Sequence, residues 1–411
     1  MPGRKALALV VSLDTKAPEA AYLRERVAED GIEVVVVDFG TGPPGFTPHV
    51  PATTIAELGG GDLEDLRRDR DRAAAIDVMM SGVATWAARA YAAGDICGLV
   101  SIGGSGGTAV GTAAMRALPF GAPKIMISTV AASDVREYVG TKDVTMINSV
   151  VDFAGVNPIS EPVLRNAAVA AGAMARAFEE PRSDQRSRLV AASQFGVTTA
   201  AIAQAQRLLQ EAGFTLVPFH ATGIGGRTME DLIADGMFEA VLDLTTTEWA
   251  DEVVGGTLSA GPTRLEAAGR IGIPQIVAPG ALDMVNFFMA PVPERFATRT
   301  FHRHNANVTL MRTDVAENAE IGRRIAQKLN AAVGPVTMLF PLRGVSALDV
   351  EGGPFFDPQA NASLLRALKT HLDPRIRLEE LDLHINDPGF AAAAVEALFA
   401  SLEHTESKSD A

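Results

Sequence analysis

The sequence predicts an α/β fold in which two doubly wound, Rossmann-like domains each contain a mainly parallel sheet. Short, almost continuously apolar segments alternate with segments of helical spacing, which is the pattern of a parallel sheet covered by helices on both faces. The chain has 411 residues, more than one ordinary hydrophobic core holds. The alternation starts again after EEPRSDQRSR, a charged segment without periodicity at residues 179–188. These observations predict two domains of one class.

The charged segment also sets the expected domain boundaries. Residues 1–178 are predicted to form an N-terminal Rossmann-like, nucleotide-binding domain, and residues 179–188 a linker. Residues 189–404 are predicted to form a C-terminal Rossmann-like α/β domain. Residues 405–411 are polar and terminal, so we expect a frayed tail there.

In the N-terminal half, each expected strand is a short apolar run, and each expected helix has apolar residues three or four positions apart. Gly31 is the last residue of the first expected helix, where glycine favours helix termination. Residues 41–61 are rich in Pro, Gly and Thr and are predicted to form a long loop. The expected order is strand 5–14, helix 17–31, strand 32–40, helix 62–94, strand 96–104, helix 107–118, strand 123–130, strand 144–152 and helix 157–178.

The C-terminal half repeats this alternation throughout its length. Gly213 lies at the end of its first helix and Pro262 lies near the start of a later one, and both positions are typical of helix ends. The expected strands begin at residues 188, 215, 238, 273, 307, 335 and 375, and the expected helices are 200–214, 226–236, 261–272, 318–332, 361–372 and 389–403.

The composition limits which classes of binding partner and which cellular location are expected. Lys and Arg number 36 and Asp and Glu number 50, so the net charge is −14 and sequence-independent binding of nucleic acid is not expected. No apolar run reaches the roughly 18 residues of a membrane span. The N-terminus lacks the pattern of a signal peptide, and one cysteine, Cys97, permits no disulfide within the chain. We therefore expect a cytoplasmic protein without membrane partners.

The stretch SIGGSGGTAVGT predicts a phosphate-binding loop between a strand and a helix. Four glycines within five positions allow a ligand to approach the backbone closely. The helix that follows presents free N–H groups and the positive end of its dipole. The residues with this expected role are Gly103, Gly104, Ser105, Gly106, Gly107 and Thr108.

The loop does not complete either of two well-known nucleotide motifs. Gly104-x-Gly106-x-x-Ala109 matches the Gly/Ala form of the dinucleotide fingerprint, but the next strand ends in Ser128 and Thr129 instead of an acidic residue. No GK[ST] follows the glycines, so a P-loop is excluded. A tight strand-to-helix turn without a ligand is the alternative interpretation.

Further residues are expected at the same edge of the sheet, because ligands bind beyond the carboxyl ends of parallel strands. Asp38 ends the second strand, where a carboxylate could hold a ribose. Lys142 suits a phosphate, and Asp14 or Asp143 suits a magnesium ion that bridges phosphates. The residues expected to join the loop are Ser12, Asp14, Lys16, Asp38, Lys142 and Asp143.

The segment HATGIGGRTMEDL is a second strand–glycine–helix junction. Gly223, Gly225 and Gly226 predict an anion site there, at which Arg227 would bind a carboxylate or phosphate through two parallel hydrogen bonds. A capped turn without a ligand is the alternative interpretation of this junction.

Two histidines raise the alternative of a metal site. His302 and His304 lie on one face of an extended segment, and Asp283, Asp349 and Glu351 are candidate partners. No spacing matches a strong metal signature such as HExxH. Ordinary surface or interface histidines are therefore the competing interpretation.

Several blocks of the chain resemble the Tm-one-like ATP-binding family, a group of bacterial, fungal and plant proteins that includes the N-terminal half of a plant tobamovirus-resistance protein. The resemblance covers nearly the whole chain and implies two Rossmann-like halves, ATP binding and a homodimer. It assigns the nucleotide to the glycine loop at 103–108, and to Lys142 and Asp143. The blocks that carry it are SIGGSGGT, VGTKDVTMINSVVDFAGVNPIS, GIGGRTME, HNANVTLMRT, PLRGVSALD and LDLHINDPGFAAAAV.

Three classes of function stay open on the sequence. The first is an ATP-binding protein of this family, with the nucleotide held by the loop at 103–108. The second is an enzyme that uses ATP or another phosphate ester on a small carboxylic acid at a cleft between the two domains. The third is a structural or interaction protein whose glycine loops are turns. The expected ligands are ATP, with Mg²⁺, and a small acidic metabolite.

Overall fold

A computed structural model describes residues 6–179 and 188–409 of the chain. The chain divides into two compact units, Met1–Asp184 and Gln185–Ala411. The predicted linker falls almost entirely on residues 180–187, which lie outside the described residues. The predicted fold class is confirmed, because each unit is an α/β structure built on a mainly parallel sheet.

The first unit is built on a five-stranded sheet. In chain order its elements are β1 (Ala6–Val11), α1 (Leu13–Glu29), β2 (Val34–Asp38), α2 (Ala52–Leu58), α3 (Leu63–Asp69), α4 (Arg72–Ala93), β3 (Ile96–Gly103), α5 (Ser105–Arg116), β4 (Lys124–Ser128), α6 (Arg136–Val139), β5 (Thr145–Asn148) and α7 (Ser160–Glu179). The strand order is β2-β1-β3-β4-β5, and each neighbouring pair is parallel.

Alternate residues of β1 bury their side chains on the two faces of this sheet. Leu7 and Leu9 join a core with α1 and α7, whereas Ala8 and Val10 join a second core with α2, α4 and α5. All four residues are fully buried. Burial on both faces explains why β1 has an unbroken apolar sequence instead of an alternating one.

The first unit differs from the sequence prediction in the segment between β2 and β3. The segment 62–94, predicted as one helix, forms α3 and α4, because Arg70 adopts a left-handed conformation with φ of 53°. Asp71 then starts α4 as its N-cap, with its side chain accepting hydrogen bonds from the first turn. The predicted loop at 41–61 contains the short helix α2.

The second unit contains a six-stranded parallel sheet and a separate three-stranded antiparallel sheet. Its elements are β6 (Arg188–Gln194), α8 (Thr199–Glu211), β7 (Phe214–His220), α9 (Ile224–Ala234), β8 (Ala240–Thr245), α10 (Glu248–Val254), α11 (Ala267–Ile271), β9 (Gln275–Gly280), β10 (Met284–Phe288), β11 (Phe301–Arg303), β12 (Val308–Arg312), α12 (Val315–Asn330), β13 (Val336–Pro341), α13 (Pro358–His371), β14 (Arg377–Leu381) and α14 (Pro388–Ser409). The large sheet has the order β14-β13-β9-β8-β6-β7, and the small one has the order β10-β12-β11.

The second unit departs from a simple alternation between β9 and α12. The strand predicted from residue 307 pairs antiparallel with β10 and β11, outside the large sheet. The last helix, α14, includes residues 405–409 of the predicted tail, and residues 410–411 lie outside the described residues. None of the helices in the described part of the chain combines the length and apolar character needed to cross a membrane.

Candidate functional site

A cleft of about 1050 Å³ lies at the carboxyl edge of the sheet in the first unit. Its lining includes Ser12 after β1, Phe39 after β2 and Gly103 at the end of β3. The strand order reverses between β1 and β3, since the chain runs from β1 outward to β2 and then crosses to the other side of β1. Open α/β sheets bind their ligands at such a reversal.

The first turn of α5 opens onto this cleft. The helix begins at Ser105, two residues before its predicted start, and Gly104 is its N-cap. The N–H group of Thr108 donates to Gly104 O over 2.8 Å, so the N–H groups of Ser105, Gly106 and Gly107 precede the helical hydrogen bonds. Within the described residues these three amides have no acceptor. All three residues line the cleft.

The glycines of this loop differ in what the fold requires of them. A Cβ atom on Gly103 would lie 2.6 Å from Gly107 Cα, so the turn itself needs glycine there. A Cβ atom on Gly104 would come no closer than 3.7 Å to Thr129 Oγ1, and one on Gly107 no closer than 3.5 Å to Ile102 O. Both are ordinary contact distances, so the fold does not require glycine at 104 or 107. Glycine at these positions leaves the backbone of the cleft bare.

Thr108 is buried and does not line the cleft. Its hydroxyl donates to Gly104 O over 2.8 Å and lies 2.6 Å from Ser128 Oγ at the end of β4. The predicted role of this hydroxyl as a ligand donor does not fit its burial. Thr108 instead anchors α5 to β4, whereas the side chain of Ser105 is exposed in the cleft lining.

Ser12, Asp14 and Lys16 line the cleft, and Asp14 also holds the loop after β2 in place. Asp14 Oδ1 accepts from Ser12 Oγ over 2.5 Å, and Asp14 Oδ2 accepts from Gly42 N–H over 2.8 Å. The Lys16 ammonium lies 5.6 Å from the centre of the Phe153 ring. These contacts fix the start of α1 relative to the neighbouring loops.

Asp38 has a structural position instead of the ribose-binding one expected from the sequence. The residue is 2% exposed and does not line the cleft. Its Oδ1 accepts from Leu13 N–H over 3.0 Å and from Gly40 N–H over 2.8 Å. Burial raises the pKa of the Asp38 carboxyl, and these two hydrogen bonds oppose the rise.

Lys142 and Asp143 lie at the amino edge of the sheet, opposite the glycine loop. Asp143 precedes β5, pairs with Lys124 at the start of β4 (Oδ1 to Nζ, 2.7 Å) and accepts from Gly121 N–H over 2.9 Å. Because β3, β4 and β5 are parallel, this edge is the one away from Gly103. The expectation that Lys142 and Asp143 join the loop is therefore corrected, because they lie at the start of β5 and the loop lies at the end of β3.

Three arginines in the cleft lining were missed from the sequence. Arg67, Arg70 and Arg72 belong to the run RRDRDR, which the sequence analysis placed inside one continuous helix. The break between α3 and α4 is what turns this run towards the cleft. The clustering of basic residues in this run is the sequence feature that could have indicated an anion-binding role.

The second glycine loop, at the start of α9, holds a carboxylate of the protein itself. Glu248 Oε1 accepts from Gly223 N–H over 2.7 Å and from Gly226 N–H over 3.1 Å. A Cβ atom on Gly226 would lie 2.1 Å from Glu248 Oε2, so glycine is needed for this contact. The N–H groups of Gly223 and Gly226, which were predicted to bind an external anion together with Gly225, thus bind the Glu248 carboxylate. The Arg227 side chain is exposed.

Glu248 belongs to a buried network centred on Arg264, which the sequence analysis missed. Arg264 is 1% exposed. Its Nε donates to Glu248 over 2.7 Å, its two Nη atoms donate to Asp243 over 2.5 and 2.7 Å, and Nη1 also donates to Glu230 over 3.2 Å. Burial opposes the charge of Arg264, but the carboxylates raise its pKa well above the usual value. Burial raises the pKa of both Glu230 and Glu248.

The residues considered for a metal site do not form one. The His302 ring contacts the Phe355 ring edge-on at 6.2 Å between centres, and His304 is exposed. Asp283 and Asp349 are fully buried. Across residues 6–179 and 188–409, no three His, Cys, Asp or Glu side chains are grouped so that they could hold a metal ion.

The fold and the cleft define a protein of two α/β units, the first with a ligand-sized cleft where its strand order reverses. The chain belongs to the uncharacterised protein family UPF0261: the N-terminal domain of the family matches residues 5–180 and the C-terminal domain matches residues 187–402. A UPF0261 protein of Clostridium tetani is 45% identical over 402 residues, which cover 97% of this chain and 99% of the relative. One of Rhizobium meliloti is 47% identical over 399 residues, which cover 96% and 98%.

The resemblance to the Tm-one-like family is also confirmed. The ToMV resistance protein Tm-1(GCR237) of Solanum lycopersicum is 38% identical over 412 residues. The match covers 93% of this chain and 54% of the tomato protein, so the chain spans about half the length of that relative.

Proposed function

We propose that the first unit binds ATP in the cleft, with the phosphate groups on the N–H groups of Ser105, Gly106 and Gly107. The observation that carries the proposal is that these amides, which have no acceptor within the described residues, open into a cleft of about 1050 Å³. Unpaired amides at a helix N-terminus attract anions, because the helix dipole adds positive charge there. The resemblance of the sequence to an ATP-binding family favours ATP among phosphate ligands.

The lining of the cleft suits both parts of a nucleotide. Ligand pockets commonly combine apolar walls with a few placed polar groups. The glycine loop and the neighbouring basic side chains provide the polar part. The apolar wall, which would contact the nucleoside, consists of Phe39, Leu66, Ala75, Ile76, Met79, Ile102 and Val110.

The lining also suits a magnesium ion bound together with the phosphates. Magnesium is usually held by one or two protein carboxylates, phosphate oxygens and water. Asp14, Asp71 and Asp152 line the cleft, and each also accepts hydrogen bonds from the protein. These three carboxylates are the ones that would hold Mg²⁺, and Asp143, at the other edge of the sheet, is no longer a candidate.

Three expectations from the sequence stay predictions. They are the homodimer, the small acidic metabolite as a second ligand, and the alternative of an enzyme that transfers from ATP or a phosphate ester. Within the described residues, no observation favours a reaction over binding. The proposal is therefore limited to nucleotide binding in the first unit.

Thermal unfolding of the whole chain with and without ATP tests the proposal. A ligand at about 100 times its Kd adds roughly 2.7 kcal/mol to the stability of the unit that binds it. For a unit of this size, that corresponds to a rise in Tm of about 5–10 °C. The measurement is made with ATP and with adenosine, each with and without magnesium. An unchanged Tm with saturating ATP would contradict the proposal.

The variant Gly106→Val tests whether the rise in Tm depends on ATP binding at the glycine loop. A Cβ atom at 106 would lie 3.1 Å from Ile76 Cδ1, the flexible end of a side chain, so the fold should tolerate valine. The valine would block approach to the amides, and we expect the rise in Tm with ATP to disappear while the Tm without ligand stays near wild type. Gly196→Val is the matched control, because Gly196 is exposed and belongs to the second unit. Apart from its chain neighbours, no atom of the described residues lies within 4 Å of a Cβ added there.

A further inference from the structure

The cleft is lined by more positive than negative side chains, although the chain as a whole is acidic. The net charge of the protein is −14. The lining nevertheless contains four basic residues against three acidic ones. The basic residues are Lys16, Arg67, Arg70 and Arg72, and the acidic residues are Asp14, Asp71 and Asp152.

Arg67 serves the protein itself. It donates from Nε to Thr41 O and from Nη2 to Gly42 O over 3.3 Å, and it pairs with Glu64 over 2.5 Å. These contacts hold the loop after β2 against α3. The Arg67 guanidinium is therefore committed before any ligand arrives.

Arg70 and Arg72 are not committed in this way. Both are exposed in the cleft lining, and neither has an ion pair within the described residues. Arg72 Nη2 lies 3.8 Å from the position that a Cβ atom on Gly106 would take, so its guanidinium stands beside the first turn of α5. Asp71 lies between the two arginines in the sequence. Its Oδ1 accepts from Ala73 N–H over 3.0 Å, so this carboxylate interacts with the first turn of α4.

The backbone at Arg70 would favour another residue. Arg70 has φ of 53° and is the C-cap of α3 in the left-handed region, where glycine is the preferred residue. An arginine at this position is strained relative to glycine. The backbone conformation of the α3–α4 turn therefore does not explain why residue 70 is an arginine. The position of its side chain in the cleft lining does explain it.

We propose that Arg70 and Arg72 form a second anion-binding group in this cleft, which binds a phosphate other than the one on the α5 amides. The proposal rests on the proposed function of the cleft and specifies its substrate class: nucleotides with a chain of two or more phosphates, in preference to monophosphates. Guanidinium groups suit this role, because they are always charged and bind phosphate oxygens through paired hydrogen bonds.

Arg70→Gly tests the proposal, since it removes the side chain and relieves the backbone at once. We expect the Tm without ligand to equal or exceed that of wild type. In isothermal titration at fixed salt, we expect the Kd for ATP and for ADP to rise at least 10-fold and the Kd for AMP to change less than 3-fold. Met289→Gly is the matched control, because Met289 is exposed, has φ of 49° and belongs to the second unit; it should leave all three Kd values unchanged.

The outcomes separate this proposal from the one on which it rests. If wild type binds ATP and Arg70→Gly binds it equally well, the arginine pair has no role, but ATP binding stands. If Arg70→Gly weakens AMP as much as ATP, the arginines do not select for a phosphate chain. If wild type binds none of the three nucleotides, the proposed function fails and this proposal fails with it. Arg72→Gln, which leaves the α3–α4 turn intact, should repeat the loss of affinity for ATP.

Discussion

Replacing Gly104 with alanine should separate ligand binding from folding. Gly104 has φ of −76° and ψ of −163°, an extended conformation that any residue adopts. Among the described residues other than its chain neighbours, the one atom within 4 Å of an added Cβ is Thr129 Oγ1, at 3.7 Å. Alanine has fewer conformations in the unfolded chain, which favours it by about 0.4–1 kcal/mol, but it is a poorer N-cap than glycine by a similar amount. Gly104→Ala should therefore leave the stability within about 1 kcal/mol of wild type.

The same methyl group should weaken ATP binding strongly. Gly104 and Thr129 both line the cleft, so the methyl would occupy space that the phosphate needs next to the amide of Ser105. A hydrogen bond to a charged group contributes about 1.5–3 kcal/mol. Loss of one such bond corresponds to a rise in Kd of about 10- to 150-fold.

Two measurements on one preparation check this prediction: denaturant unfolding for stability and isothermal titration for ATP affinity. Gly196→Ala is the control: it is the same substitution, and apart from its chain neighbours no atom of the part of the chain that the structure describes lies within 4 Å of the added Cβ. Gly103→Ala is the contrasting variant. Its Cβ atom would lie 2.6 Å from Gly107 Cα, so this substitution should destabilise the first unit. A stable Gly104→Ala variant that binds ATP with wild-type affinity would refute the assignment of phosphate to these amides.

Two further predictions concern buried charges in the second unit. Arg264→Met leaves buried carboxylates without their cation and should lower the free energy of unfolding by about 3–5 kcal/mol, measured in urea; wild-type stability would show that the network contributes nothing. Burial raises the pKa of the Asp251 carboxyl from 3.8 to about 7, so the folded state favours its protonated form. The stability that this group contributes is complete below pH 4 and is lost as the pH rises through 7. Asp251→Asn removes this ionisation, and its stability relative to wild type should increase by about 2–3 kcal/mol between pH 5 and pH 8. A difference between the two proteins that does not depend on pH would contradict this.

The sequence predicted the fold class well, because the pattern of buried strands is local. In β1, burial on both faces demands an uninterrupted apolar run, and this run is visible without any tertiary information. The glycine loop was visible for a similar reason, since Gly103 to Gly107 form one short segment between a strand and a helix. The break at Arg70 was not visible, because the residues on both sides of it keep helical spacing.

The less local parts of the candidate site were harder to predict. Lys142 and Asp143 directly precede the strand predicted at 144–152, and β5 begins at Thr145. The start of a parallel strand lies at the amino edge of the sheet, so the predicted strand itself conflicted with the assignment of these two residues to the glycine loop. The two amides of the second glycine loop bind Glu248, a residue more than 20 positions away. Which carboxylate meets those amides depends on the order of strands in the sheet, and the apolar pattern alone does not encode that order.

A crystal structure of the whole chain with magnesium and a non-hydrolysable ATP analogue tests the central claim most directly. We expect phosphate oxygens within about 2.7–3.2 Å of the backbone nitrogens of Ser105, Gly106 and Gly107. A nucleotide bound elsewhere in the chain, with these three amides still open to solvent, would contradict the account.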